Sequence, residues 1–255
     1  MAYSKDKFLK KLYVITPFKD KNLDLIRQTI FKLSENKTNI TLQHYIIYDK
    51  SCKKLVQKLI NEIKFLSNKN LYFNNFIEAN SNGIYTAINQ ALDIIPLNSY
   101  YLVLGAGDLL LKIKGSIKIS GGKIILFPYV LSTSIKKQKI INIRNIFSGM
   151  PYCHNAISYI NDGSKYSLNY KISADYDHFL NYISRNNLNK KKLINSVQEN
   201  IIIEFESKYG ISSRFLIIKN LENIMIIYRY FGILKIFTYF WHTLKRIINI
   251  FWKVI

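Results

Sequence analysis

Four acids and a histidine stand where their neighbours give them chemistry to do. Asp108 closes Leu104-Gly105-Ala106-Gly107-Asp108, directly after the apolar run 100–104. Small residues there let a ligand approach the backbone closely, and the carboxyl end of a buried strand is where open α/β sheets hold ligands. Asp49 ends a second strand-like run, 43–48, and is followed by Lys50-Ser51. In a parallel sheet the two acids share one rim, which makes them a candidate site rather than two unrelated turns. Asp175 and Asp177 sit in Ser173-Ala174-Asp175-Tyr176-Asp177, which opens a predicted helix running through Phe179, Leu180, Tyr182 and Ile183. The helix dipole alone also favours an acid in a first turn. His154 lies in the loop 149–155, ahead of a strand near 156–159.

The elements that must position these groups read as alternating strands and helices. Leu12-Tyr13-Val14-Ile15-Thr16 is a first buried strand, ended by Pro17-Phe18 in a loop. Leu23, Ile26, Ile30 and Leu33 recur at helical spacing, and Leu55, Leu59, Ile63 and Leu66 mark a second amphipathic helix. A short strand at 71–73 leads to Glu78, and a third helix spans about 84–94. Strand–helix alternation at this rhythm predicts an α/β chain with a Rossmann-like, mostly parallel sheet flanked by helices. Beyond Asp108 the runs around Ile117, Ile119, 124–127 and 140–143 are short and β-prone, with Gly121-Gly122 between them, and they predict hairpins.

Composition bounds the reading more loosely. With 255 residues, 49% hydrophobic and 21% charged, the chain is of a globular and not a disordered type. Its formal net charge of +21 suits an acidic partner such as nucleic acid, anionic lipid or a phosphorylated substrate. RNA-binding signatures and clustered basic blocks are missing, and Lys190-Lys191-Lys192 reads as a solvated loop, so nucleic acid is not expected. The two cysteines, Cys52 and Cys153, have no metal-ligand spacing and suit a reducing compartment. No signal peptide and no uninterrupted spanning run are visible, which predicts a cytoplasmic protein.

The last 35 residues are of another character: Phe231, Leu234, Phe237, Phe240, Trp241, Leu244, Ile248, Phe251 and Trp252 form a broad apolar helical face interrupted by Lys235, His242, Lys245, Arg246 and Lys253. A basic amphipathic helix with Trp and Phe suits an anionic membrane interface. The other reading is a helix packed on the body or on a second subunit. The expected organisation is a main domain over 1–215 and a helical extension over 216–255.

In order, these pieces resemble an inverting family-2 glycosyltransferase with a GT-A fold, of the bacterial surface-polysaccharide type. Thr16, Pro17 and Phe18 look like the loop that receives the nucleotide base, and Asp49 like the strand-end acid that contacts it. Glu78-Ala79-Asn80-Ser81-Asn82-Gly83-Ile84-Tyr85-Thr86-Ala87-Ile88-Asn89 resembles the family's acidic loop and the block after it. Gly107-Asp108 resembles the metal-binding acidic motif. His154-Asn155-Ala156 and Ala174-Asp175-Tyr176-Asp177 resemble the later histidine and the motif that supplies the base, and Tyr209-Gly210-Ile211-Ser212-Ser213 resembles a late Gly-Ile-Ser stretch.

The resemblance implies a nucleotide diphosphate sugar as donor and a glycan or lipid-linked acceptor. It implies Mn²⁺ or Mg²⁺ on Asp108, with His154 near the metal or diphosphate, and Asp175 as general base with Asp177 as its substitute. Glu78, Asn80, Gly83, Asn89 and Gly107 would line the donor pocket, at the inner face of a membrane. Two departures stand out: the family usually has two acids where Gly107-Asp108 stands, and Thr86 replaces a common Asp. A nucleotidyltransferase would need a glycine-rich phosphate loop after the first strand, where this chain has Pro17-Phe18-Lys19-Asp20-Lys21. A non-catalytic protein acting through its basic C-terminal helix is the remaining alternative.

Overall fold

The computed structural model describes residues 7–19, 23–35, 40–64, 72–113, 117–119, 123–133, 139–205 and 215–254. Leu66, Gly121-Gly122 and the stretch 209–213 lie outside the described residues. The chain alternates β2 (Lys11–Phe18), α1 (Leu23–Glu35), β3 (Thr41–Tyr48), α2 (Lys53–Ile63), β4 (Tyr72–Glu78), α3 (Ile84–Ile94) and β5 (Tyr100–Val103), after a two-residue β1 (Lys7–Phe8). These four long strands are parallel neighbours in the order β4-β3-β2-β5. Two antiparallel strands, β10 (Ile157–Ile160) and β8 (Ile124–Leu126), complete a six-stranded, mostly parallel α/β sheet.

The helices cover this sheet largely with the residues their periodicity selects, except that in α2 Val56 is buried and Leu55 is only half-buried. Ile26, Ile30 and Leu33 of α1, Val56, Leu59 and Ile63 of α2, and Ile88, Ala91 and Leu92 of α3 are all buried. Each large aliphatic side chain among them contributes roughly 2 kcal/mol from area removed from water. Because the four parallel strands run the same way, their carboxyl ends form one rim, and Asp49 and Asp108 both follow strands that end there.

Two expectations about strand ends are corrected. Pro17 and Phe18 belong to β2 and pair with Ile47 and Tyr48 of β3. The ladder tolerates the proline because Ile15 accepts from Leu104, so Pro17, two residues on, turns its missing N–H to the same side, beyond the Ile15–Val103 end of the β2–β5 pairing. The strand expected at 71–73 extends to Glu78, held by seven register pairs with β3.

After Asp108 the described strands pair mostly over long distances, and the hairpin expectation holds only at the antiparallel bridge between Tyr129 and Ile140. β6 (Leu109–Ile113) and β9 (Tyr129–Leu131) pair with the distant β11 (Ile201–Phe205), β7 (Lys118–Ile119) pairs with β1, and β8 pairs with β10. Their partners are set by long-range burial, which a local pattern does not encode. Among the described residues the second half carries four α-helices: α4 (Ala174–Arg185), α5 (Lys190–Asn195), α6 (Leu216–Phe231) and α7 (Ile233–Val254). Lys190-Lys191-Lys192 is solvated as expected, but as the first turn of α5, capped by the Asn189 side chain.

A polar chain crosses the sheet at its centre. His44 pairs with Thr16 Oγ1 on β2 and with the Tyr72 hydroxyl on β4, both at 2.8 Å. All three side chains are fully buried, and burial pushes His44 down to about 3. Burial also pushes His154 and His178 down, to about 3 and about 4. The unfolded chain binds protons on these imidazoles below about 6.5 while the fold does not, so stability is lost as pH falls through that value. Urea unfolding between pH 6.5 and 5 checks this: His44→Gln is expected to weaken the fold at pH 7.5. It should also make the acid loss shallower by about 2 kcal/mol.

Candidate active site

The loop after β5 is wired tightly enough to fix Asp108. Gly105 N–H donates to Asp108 Oδ2 at 2.7 Å, and Asp108 N–H donates back to the Gly105 carbonyl at 3.1 Å. The Asn155 amide donates to the same carboxylate oxygen from the loop before β10. Thr29 of α1 donates its hydroxyl to the Asp108 carbonyl and accepts the Gly107 N–H, each at 3.0 Å. Gly107 has φ +98°, a left-handed conformation that favours glycine. At Gly105 an added Cβ would stand 2.9 Å from Asp108 Oδ2, so the carboxylate packs where a side chain would have been. Asp108 is left only 2% exposed.

The second carboxylate reaches the rim through α4. The amides leading into this helix, Lys171, Ile172 and Ser173, donate to the Glu222 carboxylate of α6 at 2.7, 2.9 and 2.8 Å. Tyr85 at the start of α3 donates its hydroxyl to the Ile172 carbonyl at 2.7 Å, which ties the helix lead-in to the end of β4 and its loop. Asp175 follows, half-buried, accepting the Tyr176 N–H at 2.8 Å.

Burial pushes Asp175 up to about 6, against Tyr176's backbone bond and Lys219, with Glu222 adding to the rise. The wall beside it is aromatic. Tyr85 stacks on Tyr166 with centroids 5.8 Å apart, and Tyr166 stacks on His178 at 4.0 Å. The charge of Asp175 raises the Tyr85, Tyr159 and Tyr166 hydroxyls, each already raised by burial. Cys153 connects the two acids: burial pushes its thiol up to about 12, and both Asp108 and Asp175 add to that shift.

The other expected residues separate into rim and support. Asp49 sits at the end of β3, its Oδ1 accepting from Ser51 N–H and hydroxyl at 2.9 and 2.6 Å, with Lys19 at 3.4 Å. Those Ser51 bonds, then Lys19, hold it below the usual carboxylate range. Glu78 ends β4 and pairs with Lys53 at 3.0 Å. Gln90 of α3 clamps the loop that follows, accepting from Asn80 N–H and donating to the Glu78 carbonyl. Gly83 precedes α3 with φ +123°, a backbone that L side chains rarely adopt.

Three expected site residues spend their polar groups elsewhere. Thr16 turns its hydroxyl to His44. Asn89 grips the Tyr166 backbone with both ends of its amide, at 2.9 and 2.8 Å. Asp177 is paired with Arg229 of α6 at 3.3 Å, and its backbone carbonyl accepts from Tyr230. His154 lies beside Asn155, with Nε2 at 3.2 Å from the Tyr166 hydroxyl. Its Nδ1 is buried without a hydrogen-bond partner among the described residues.

Sequence reading missed Thr29, Gln90, Asn155 and Glu222, which hold the expected residues in place. Asn155 lay inside a quoted motif and was within reach; the others carry no local signal. Among the described residues no group of three or more His, Cys, Asp and Glu side chains could hold a metal ion. One buried carboxylate does not make a resident metal site, but it fits a cation whose other ligands are substrate phosphates.

The fold has solved counterparts. S. aureus TarS (residues 1–349) in complex with UDP-GlcNAc superposes with a TM-score of 0.51 at 13% identity, over 87% of this chain and 67% of that one. The same protein in complex with UDP gives 0.50 at 11% identity, over 87% and 66%. Mannosyltransferase PcManGT from Pyrobaculum calidifontis, in complex with GDP-Man and Mn²⁺, gives 0.54 at 8% identity, over 86% and 63%. The chain therefore has the α/β fold of these glycosyltransferases and spans about two thirds of their length. A scan of protein-family models and a search of curated proteins give no match.

Glu222→Ala strands three amides at the start of α4 and is expected to cost about 3 kcal/mol in urea unfolding. Glu222→Gln, which keeps an acceptor, should recover roughly half.

Proposed function

We propose that the chain is an inverting glycosyltransferase, moving one sugar from a nucleotide diphosphate sugar to a hydroxyl of a glycan or lipid-linked acceptor. The observation that supports this best is a carboxylate, Asp175, lifted to about 6 by burial and electrostatically coupled to Cys153 together with Asp108. A base poised near neutral pH is what deprotonation of a sugar hydroxyl requires. Asp175 takes the proton of the acceptor hydroxyl, and the acceptor oxygen attacks the anomeric carbon from the face opposite the diphosphate. The bond to the donor phosphate breaks with its electron pair on the leaving oxygen, and the anomeric centre inverts once. Asp177, committed to Arg229, is assigned to hold α4 against α6 rather than to this proton.

Donor contacts fall to the strand-end residues: Pro17, Phe18 and the backbone of Thr16 toward the base, with Asp49 beside them. Glu78, Asn80, Gly83 and Gly107 stand toward the sugar and phosphates, and Asn89 acts indirectly by fixing Tyr166. A divalent cation arriving on the diphosphate would be held by Asp108, with the neutral His154 nearby, and would offset the leaving group's charge. That TarS is solved with UDP-GlcNAc and PcManGT with GDP-Man and Mn²⁺ supports this donor class. A cytoplasmic site on the inner membrane face and a role in surface-polysaccharide synthesis complete the reading.

A thermal-shift screen of UDP-, GDP-, CMP- and dTDP-sugars with and without Mn²⁺ identifies the donor. Asp108→Ala should abolish the metal-dependent shift. Asp175→Asn should keep the donor shift while lowering kcat about a thousandfold. In the wild type, kcat should rise about tenfold per pH unit up to about 6 and then level, because only the ionised base accepts a proton. A folded protein that no nucleotide sugar stabilises would sink this reading.

A further inference from the structure

The C-terminal helices carry more apolar surface than they pack on the rest of the described chain. On α7, Leu234, Phe237, Trp241, Leu244 and Ile248 recur at three- and four-residue spacing and make one stripe. That stripe faces outward: Leu234 is 76%, Phe237 69% and Trp241 57% exposed. The opposite side of the helix is the packed one. Tyr239 is 3% exposed and donates its hydroxyl to Asn220 Oδ1 of α6 at 2.7 Å. The preceding helix repeats the arrangement, with Ile217, Leu221, Met225 and Tyr228 exposed while Glu222, Asn223, Ile226 and Ile227 are buried.

Charge selects the occupant. The sequence of α7 holds Lys235, Lys245, Arg246 and Lys253 and no acid, in a chain of net charge +21. Lys245 lies 4.9 Å over the Trp241 ring, a cation directly beside the apolar stripe. A second copy of the chain would bring like charge against like charge, whereas an anionic lipid surface takes apolar side chains into its acyl boundary and basic ones among its headgroups. Among the described residues no helix is long and apolar enough to cross a membrane.

We propose that the outward stripe of α7, with Lys245 beside it, docks in the plane of an anionic bilayer. The stripe of α6 extends the apolar surface this helix pair offers. Through Glu222 on the lead-in of α4 and Arg229 on Asp177, the docked helices are joined to the element that carries Asp175. The docking surface stands on its own observations and holds whether or not the rim binds a nucleotide sugar.

Co-sedimentation of the whole chain with vesicles tests it, phosphatidylcholine alone against phosphatidylcholine with phosphatidylglycerol. The wild type is expected to sediment with the anionic vesicles and to release as salt rises. Lys245→Ala should lower partitioning about fivefold at low salt, the equivalent of about 1 kcal/mol per basic residue near such a surface. Trp241→Glu should lower it by more than about tenfold. The replaced side chains are exposed, so folding is checked by circular dichroism and donor-independent melting. A folded wild type that ignores anionic vesicles overturns the proposal. So does a concentration-dependent dimer in light scattering that Trp241→Glu dissolves, which would assign the stripe to a second copy.

Discussion

Glu222 accepts three backbone amides ahead of α4, and the geometry around Asp175 depends on that contact. Lys171 and Ile172 precede the helix and Ser173 is its N-cap, and leaving such backbone N–H groups unpaired away from water costs more than any one bond returns. Glu222 is itself buried at 8% exposure, and a carboxylate there needs donors as much as the amides need an acceptor. The two requirements cancel only while α6 lies against α4. The helix that the sequence boundary at 215 assigns to an extension is thus joined by hydrogen bonds to the start of the helix that presents the candidate base.

Two opposed influences act on Asp175, and their magnitudes decide its chemistry. A carboxylate in the first turn of a helix is stabilised as an anion, by up to about 2 kcal/mol in partly buried geometries. Removal from water against the tyrosine wall works the other way and prevails, leaving the group near 6. Asp49, at the end of β3, is held below the usual range by the Ser51 bonds. Rim acids that diverge in this way can take different tasks, one keeping its charge and the other exchanging a proton.

The alternation of strands and helices up to Val103 was legible because it rests on local periodicity. Ile26, Ile30 and Leu33 announce a helix face wherever they occur. The common rim of Asp49 and Asp108 followed from parallelism. Less legible was anything fixed by distant pairing. Nothing near Leu109 says that β6 will lie beside Ile201, and nothing near Leu221 says that the next residue will cap a helix 50 positions earlier. Asp175 and Asp177 illustrate the limit. Both acids have the same local credentials, and only the position of Arg229 on α6 separates a paired carboxylate from one facing the tyrosines.

The outward apolar faces of α6 and α7 have a mechanical consequence. Beside the apolar packing of Ile226 and Ile227, α6 makes polar, directional contacts with α4, Glu222 to the lead-in amides and Arg229 to Asp177, while Tyr239 to Asn220 ties α7 to α6. Hydrogen bonds constrain angle as well as distance, so they set the orientation of the helices against the body. The outward contacts are apolar and non-directional, which lets a covering surface slide without a change in energy. Here the directional bonds lie between α6 and α4, and a non-directional apolar face lies outward. A surface that moves laterally beneath the protein would leave the geometry around Asp175 undisturbed.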